Sequence, residues 1–144
     1  MLSFTEAVKI CMFQKFASIE GRATRAEYWW FLLFTLLTIY VPCIIAGLFF
    51  SGDEDSTLGV LFAVIGGINF FITGIPSICA RIRRYHDTGH SGYFIFWNLV
   101  PYVGPIISLV VELTDSKPDN EYGPNPFNST TTQENIVKEE ITNN

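Results

Sequence analysis

Charged side chains are scarce in this sequence and unevenly placed. Asp, Glu, Lys and Arg make up 16% of its 144 residues, whereas hydrophobic residues make up 49%. An average soluble domain has roughly 25% charged residues, which help to cover its core with polar surface. A chain this short and this apolar lacks that surface, so the composition argues against a soluble fold and predicts a single membrane domain.

No charged residue occurs in three long segments, which cover residues 28–50, 56–80 and 92–111. They are 23, 25 and 20 residues long, and a helix needs about 20 apolar residues to cross a hydrocarbon layer roughly 30 Å thick. The alternation typical of membrane β-strands is absent. The sequence therefore predicts an all-α integral membrane protein with three transmembrane helices. Asn98, Pro101, Gly104 and Pro105 interrupt the third segment, so that a re-entrant segment is an alternative there.

The flanking segments carry helix-start signals and a polar end. Ser3 and Glu6 form a capping-box pattern, which predicts a short amphipathic helix over residues 3–19. This helix lies either on the membrane surface or against the other helices. Thr24 and Glu27 repeat the pattern before the first span. The membrane domain then covers residues 1–127, and we expect the polar tail 128–144 to be disordered.

Basic residues are missing from the loop between the first two spans, and they cluster outside these spans. Those before the first span or after the second are Lys9, Lys15, Arg22, Arg25, Arg81, Arg83 and Arg84. Since Lys and Arg mark the cytoplasmic side, we predict a cytoplasmic amino terminus and a cytoplasmic basic loop over residues 81–92. Three full spans place the carboxy terminus outside, whereas a re-entrant third segment places it inside.

Signatures of catalysis or metal binding are also missing. The three cysteines have no CxxC spacing, which excludes a disulfide framework and a zinc site of that type. No Gly-rich phosphate loop or nucleophile elbow occurs. His86 and His90 are four residues apart, but Gly89 predicts a turn between them, where both imidazoles do not share a helix face. We predict no metal, no cofactor and no nucleic-acid partner.

Small residues recur every four positions in the second span, at Gly59, Ala63 and Gly67. Such spacing lets two membrane helices approach closely, and it also arises because glycine is common in membrane helices. The first interpretation predicts a helix-packing face, either within the chain or in a homo-oligomer.

Three segments resemble the motifs of a known family. Gly21-Arg22-Ala23-Thr24-Arg25-Ala26-Glu27-Tyr28-Trp29, preceded by Phe16, resembles its entry motif. Arg81-Ile82-Arg83-Arg84-Tyr85-His86-Asp87-Thr88-Gly89-His90-Ser91-Gly92-Tyr93 is similar to its basic loop, with Tyr93 where Trp is usual. Asn120-Glu121-Tyr122-Gly123-Pro124-Asn125-Pro126 resembles its closing motif. The family is the bacterial inner-membrane "domain of unknown function 805" group. The resemblance covers roughly residues 4–127 and implies a small multi-pass protein of the inner (plasma) membrane without an established activity.

The arginine-rich segments are the best candidate site. Guanidinium groups bind lipid phosphates bidentately, and we predict a non-enzymatic protein whose cytoplasmic face binds anionic lipid headgroups or a membrane protein partner. The residues assigned to this site are Arg22, Arg25, Arg81, Arg83, Arg84, His86 and Asp87. The alternatives are a subunit of an oligomeric transporter or channel and, third, a metal-dependent membrane enzyme that uses His86, Asp87 and His90.

Overall fold

The computed structural model describes residues 2–52 and 55–127. Its helices are α1 (Phe4–Lys9), a π-helical turn (Ile10–Gln14), α2 (Arg25–Gly52), α3 (Thr57–Asp87), a 3₁₀ helix (Gly92–Leu99) and α4 (Val103–Leu113). The described residues form no β-strand, which confirms the all-α prediction. The predicted disordered tail, 128–144, lies outside the described residues. The chain divides into two compact units, Met1–Ser18 with Ala26–Ala80 and Ile19–Arg25 with Arg81–Asn144.

Within the part of the chain that the structure describes, two helices are long and apolar enough to cross a membrane. They are α2, with 28 residues, and α3, with 31 residues. Only 11% of the apolar stretch of α2 and 17% of that of α3 is buried within the protein. A core helix of a soluble protein would be mostly buried, so the exposure of these apolar faces fits a lipid environment.

In the first unit, α2 and α3 pack side by side and run antiparallel. The Thr35 and Ser77 hydroxyl oxygens lie 3.4 Å apart near one end, and the Phe49 and Phe62 rings stack with centroids 6.1 Å apart towards the other. Thr35 and Ser77 therefore lie at the same end of this helix pair.

The small residues that line the contact between α2 and α3 recur every seven positions. Gly59 lies against the Phe50 ring, and Gly66 lies against Cys43. Thr73 and Ala80 continue this series and are almost completely buried. A seven-residue period is typical of helices that cross at a shallow angle. The predicted face shares only Gly59 with this contact, because Ala63 and Gly67 are exposed; a role for those two residues in oligomerisation stays a prediction.

The amino-terminal segment packs against α2, the second of its two predicted placements. The Phe4 ring contacts those of Trp30 and Phe34, at centroid distances of 5.9 Å and 6.4 Å. Ala7 and Cys11 are completely buried. The capping box of α1 is confirmed. The Glu6 carboxylate accepts hydrogen bonds from the Ser3 backbone N–H and the Ser3 hydroxyl. Both lower the pKa of the Glu6 carboxyl, and the backbone N–H has the larger effect.

The basic segment after the second span is helical up to Asp87. The prediction of a loop over residues 81–92 was therefore wrong for residues 81–87. The helix ends in a Schellman motif, in which His90 N–H donates to Tyr85 C=O (2.8 Å) and Gly89 N–H donates to His86 C=O (3.0 Å). Gly89 has φ +72°, the left-handed conformation that this motif requires. Basic residues in the last turn also interact favourably with the carbonyl end of the helix.

The continuous helix predicted over residues 92–111 is absent. The 3₁₀ helix and α4 replace it, and residues 100–102 separate the two. Tyr102 adopts φ +65°, which turns the chain sharply. Gly104 packs so closely on the Trp97 carbonyl that a Cβ at residue 104 would overlap the carbonyl oxygen. Residues seven apart in a straight helix lie about 10 Å apart along the axis, so the chain folds back here.

Candidate functional site

The Asp87 carboxylate organises a buried polar cluster in the second unit. Its Oδ1 accepts from Arg22 Nε at 2.9 Å, and its Oδ2 accepts from Arg84 Nη1 and from the Ser116 hydroxyl. The Arg84 and Asp87 side chains have no exposed area, and that of Arg22 is 2% exposed. A carboxylate between two guanidinium groups is the arrangement that compensates for removing these charges from water.

Arg22 uses all five of its N–H donors within the protein. Besides Asp87 Oδ1, it donates to the backbone carbonyls of Asp87 (3.1 Å), Lys117 (2.5 Å), Pro118 (3.0 Å) and Gly123 (3.1 Å). Guanidinium has five donors and no acceptor, so its hydrogen-bonding capacity is saturated. Arg22 thereby ties the entry motif to the end of α3 and to the closing motif.

Arg84 makes a similar set of contacts with three backbone carbonyls besides its pair with Asp87. Nε donates to Glu112 C=O at 3.1 Å, Nη1 also to Ala23 C=O at 3.4 Å, and Nη2 to Thr114 C=O. The Asn120 side-chain amide donates to His86 C=O at 2.9 Å, which adds the closing motif. The three motifs that are separate in sequence therefore share one buried polar cluster.

A second polar group surrounds the Tyr85 hydroxyl. It donates to Glu112 Oε1 (3.3 Å) and accepts from Asn98 Nδ2 (3.3 Å). Glu112 Oε1 also pairs with Arg81 Nε at 3.0 Å. Glu112 lies in the last turn of α4, and Asn98 lies near the end of the 3₁₀ helix.

Both ends of the third apolar segment contact the same short stretch of α3. At the first end, a Cβ on Gly92 would lie 3.0 Å from Ile82 Cγ2 and 3.3 Å from His86 Nε2. At the other end, Glu112 binds Arg81 and Arg84. The five residue steps from Arg81 to His86 cover about 8 Å of helix axis, whereas a transmembrane segment separates its ends by about 30 Å.

The five arginines assigned to the site differ in their accessibility. The Arg25 side chain is 43% exposed and pairs with Asp115, which is 90% exposed. The Arg81 side chain is 36% exposed. Arg22, Arg83 and Arg84 are buried. Only Arg25 and Arg81 of this set therefore present a guanidinium group to a ligand outside the protein.

A cleft in the second unit opens beside the stacked rings of His86 and Tyr122, whose centroids lie 3.9 Å apart at an interplanar angle of 4°. One part of it has a volume of about 400 Å³ and is mainly apolar. Its lining includes Ile19, Ile82, Gly92, Ile95 and Phe96. The adjoining part, of about 420 Å³, is lined by Glu20, Gly21 and Glu121 together with the same two rings and Ile19.

At the polar edge of this cleft, hydrogen bonds determine which nitrogen of His86 carries a proton and shift the pKa of Tyr122. His86 Nδ1 lies 3.3 Å from Gly21 C=O. A carbonyl only accepts, so that Nδ1 carries the proton in this contact. The pKa of the Tyr122 phenol is raised, first by its hydrogen bond with the Glu121 carboxylate.

His86 and His90 do not converge on one point. His90 Nδ1 lies 3.0 Å from the Thr88 hydroxyl, whereas His86 Nδ1 faces Gly21. Among residues 2–52 and 55–127, no group of three or more His, Cys, Asp or Glu side chains could hold a metal ion.

Sequence reasoning missed Glu112, Ser116 and the carbonyls of residues 117, 118 and 123 as members of the cluster. Glu112 had a usable signal, because it is the first charged residue after a long apolar segment. The carbonyls had none, since every residue carries one and only the folded chain selects among them.

Comparison with known proteins identifies a family and two relatives. The family model described as "protein of unknown function (DUF805)" matches residues 16–124. The inner membrane protein YhaH of Escherichia coli (strain K12) is 31% identical over 118 residues, which is 78% of this chain and 90% of that protein. The inner membrane protein YhaI of the same strain is 30% identical over 118 residues, 81% of this chain and 92% of that protein. No solved structure matches the chain. The matched range contains the first two motifs in full and the closing motif up to Pro124, and the chain belongs to the DUF805 family.

Proposed function

We propose that this chain is a non-enzymatic inner-membrane protein that binds the phosphates of anionic lipids at its cytoplasmic face. Arg25 and Arg81 bind the lipid, and Arg22 and Arg84 hold the fold together. The observation that carries this assignment is the partial exposure of the Arg25 guanidinium beside a carboxylate that is itself 90% exposed.

The Arg25–Asp115 pair presents little barrier to a lipid phosphate. Exposed ion pairs contribute about 0–1 kcal/mol, because water screens both charges. A phosphate offers guanidinium a bidentate partner and brings the negative surface potential of the membrane with it. Arg25 is also the first residue of α2, so that it stands where an apolar span begins.

The membrane topology that we propose has two spans and a re-entrant segment. The contacts of Gly92 and Glu112 with one 8 Å stretch of α3 support a third segment that enters and leaves at the same face. The positive-inside rule assigns this face to the cytoplasm. The carboxy-terminal tail then starts in the cytoplasm, which replaces the three-span topology with its external tail.

The lipid assignment is tested by measuring how strongly brominated phosphatidylglycerol quenches tryptophan fluorescence, relative to brominated phosphatidylcholine. Trp29 and Trp30 lie one turn after Arg25 and report on lipid at this face. The protein is reconstituted at full length. The Arg25→Gln variant should lower the relative binding of the anionic lipid about fivefold, since a basic residue at the membrane surface contributes about 1 kcal/mol.

Asp115→Asn is the matched control, because it breaks the same ion pair but leaves the arginine in place. It should keep the preference for phosphatidylglycerol or increase it. An Arg25→Gln protein with unchanged preference, or an Asp115→Asn protein that loses it, would overturn the lipid assignment.

A further inference from the structure

None of the arginines of the proposed lipid site lines the cleft beside the His86–Tyr122 stack. The cleft has two chemically different parts. Isoleucine and aromatic side chains line one part, and two carboxylates, Glu20 and Glu121, stand at the other. The two rings belong to both parts.

His86 supplies an unused hydrogen-bond acceptor at the junction. His86 is 8% exposed. Its Nε2 has no hydrogen-bond partner among the residues that the structure describes. Nδ1 is committed as a donor to Gly21 C=O at 3.3 Å, so the neutral imidazole presents a lone pair at Nε2. This nitrogen lies beside Gly92, where an added Cβ would come within 3.3 Å of it.

We infer that this cleft binds an amphiphile with a primary amine headgroup. The ammonium has three N–H donors, which match Nε2 and the two carboxylates in number and charge. The aromatic ring of Tyr122 adds attraction for a cation. The hydrocarbon part lies against Ile19, Ile82 and Ile95 in the apolar part of the cleft.

Other headgroups fit the same surroundings less well. An anionic phosphate or carboxylate would meet Glu20 and Glu121 and the lone pair of a neutral imidazole. A quaternary ammonium has the right charge but no N–H to donate. The site should therefore bind a primary amine more tightly than its N-methylated form. The exposed arginines, which bind phosphate, should not distinguish between the two.

The test is a competition between lysophosphatidylethanolamine and lysophosphatidylcholine of the same acyl chain at equal concentration. The two differ in N-methylation, and native mass spectrometry of the full-length protein counts each bound species. We expect the ethanolamine form to be bound about tenfold in excess. Dodecylamine, which has the amine and the tail without a phosphate, should displace it. Free ethanolamine, which lacks the tail, should not.

The Glu20→Gln/Glu121→Gln variant should bring the ratio of the two bound lipids close to one. Glu139→Gln/Glu140→Gln, in the carboxy-terminal tail, makes the same change in net charge and should keep the excess. His86→Phe retains an aromatic ring beside Tyr122 but removes the acceptor, and should also lower the ratio. Melting temperatures of all variants verify that they are folded.

A ratio near one in the unmodified protein would overturn the inference, and so would an unchanged ratio in the folded Glu20→Gln/Glu121→Gln variant. Displacement by free ethanolamine would contradict the requirement for an apolar tail. Displacement by dodecylamine separates an amine site from a site that recognises the phosphate, because dodecylamine has none.

Discussion

Asp87 is the residue on which most contacts of the polar cluster converge. Its carboxylate pairs with Arg22 and Arg84, and its backbone C=O accepts from Arg22 and from the Lys117 N–H. Burial of three charges is costly unless each is paired and hydrogen-bonded. Removal of the single anion would leave two guanidinium groups buried with only neutral acceptors, so the stability of the second unit depends on this one carboxylate.

Asp87→Asn keeps the shape of the side chain and removes its charge. We expect it to lower the free energy of unfolding by about 3–5 kcal/mol, the usual cost of breaking a buried pair from one side. Unfolding of the purified protein by sodium dodecyl sulfate in mixed micelles measures this change. Asp115→Asn breaks an exposed pair with the same chemistry and should cost less than about 1 kcal/mol. Equal effects of the two substitutions would contradict a structural role for Asp87.

The sequence predicted that the arginines form a site, but it did not predict which of them are exposed and which are buried. Charge pattern and family resemblance singled out Arg22, Arg25 and Arg84 alike. The acceptors that saturate Arg22 are mostly backbone carbonyls of residues almost a hundred positions away, and no side-chain pattern encodes them. Accessibility, the property that separates a binding arginine from a structural one, depends on that tertiary arrangement.

Among the helical elements, the third apolar segment departs furthest from its prediction. The length rule for spans assumes one straight helix with a rise of 1.5 Å per residue. Pro101 removes a backbone donor, Tyr102 has a positive φ, and Gly104 allows contact with the Trp97 carbonyl. The uncharged run of 20 residues therefore predicted helical structure over most of this segment correctly, and its continuity as one helix incorrectly.

Gly104→Ala tests the fold-back of this segment. The new methyl group would overlap the Trp97 carbonyl oxygen, which belongs to the backbone and cannot rotate away. We expect a loss of about 1–3 kcal/mol in unfolding free energy, measured by the same detergent titration. Gly67→Ala is the matched control, because no atom lies within 4 Å of its Cβ position, and it should leave stability unchanged or raise it by up to about 1 kcal/mol. An equal loss in both variants would contradict the close approach at Gly104.

Helix starts and stops were more predictable than this interior break. The Ser3–Glu6 capping box fixed the start of α1, and Thr24 directly precedes the observed start of α2. Gly89 carried the stop signal of α3. The loop predicted from Arg81 begins too early, because a helix can continue beyond the apolar layer into polar surroundings. The glycine that ends such a helix, Gly89, marks its actual end.

At the scale of the whole molecule, topology decides which residues share a compartment. The entry motif, the end of α3 and the closing motif make common hydrogen bonds through Arg22 and Arg84. In the proposed topology they lie at one face of the membrane. A third full span would carry Glu112 and the closing motif to the opposite face, about 30 Å away, which is incompatible with the Arg81–Glu112 and Arg22–Gly123 contacts.

Fusion of alkaline phosphatase after Phe127 tests this topology most directly, because the enzyme becomes active only where its disulfides form, in the periplasm. A fusion after Gly52, at the end of α2, serves as the external control and should be active. With two spans and a re-entrant segment, the Phe127 fusion should be inactive although it is expressed. High phosphatase activity after Phe127, at the level of the Gly52 fusion, would contradict the proposed cytoplasmic face and the polar cluster on which this proposal rests.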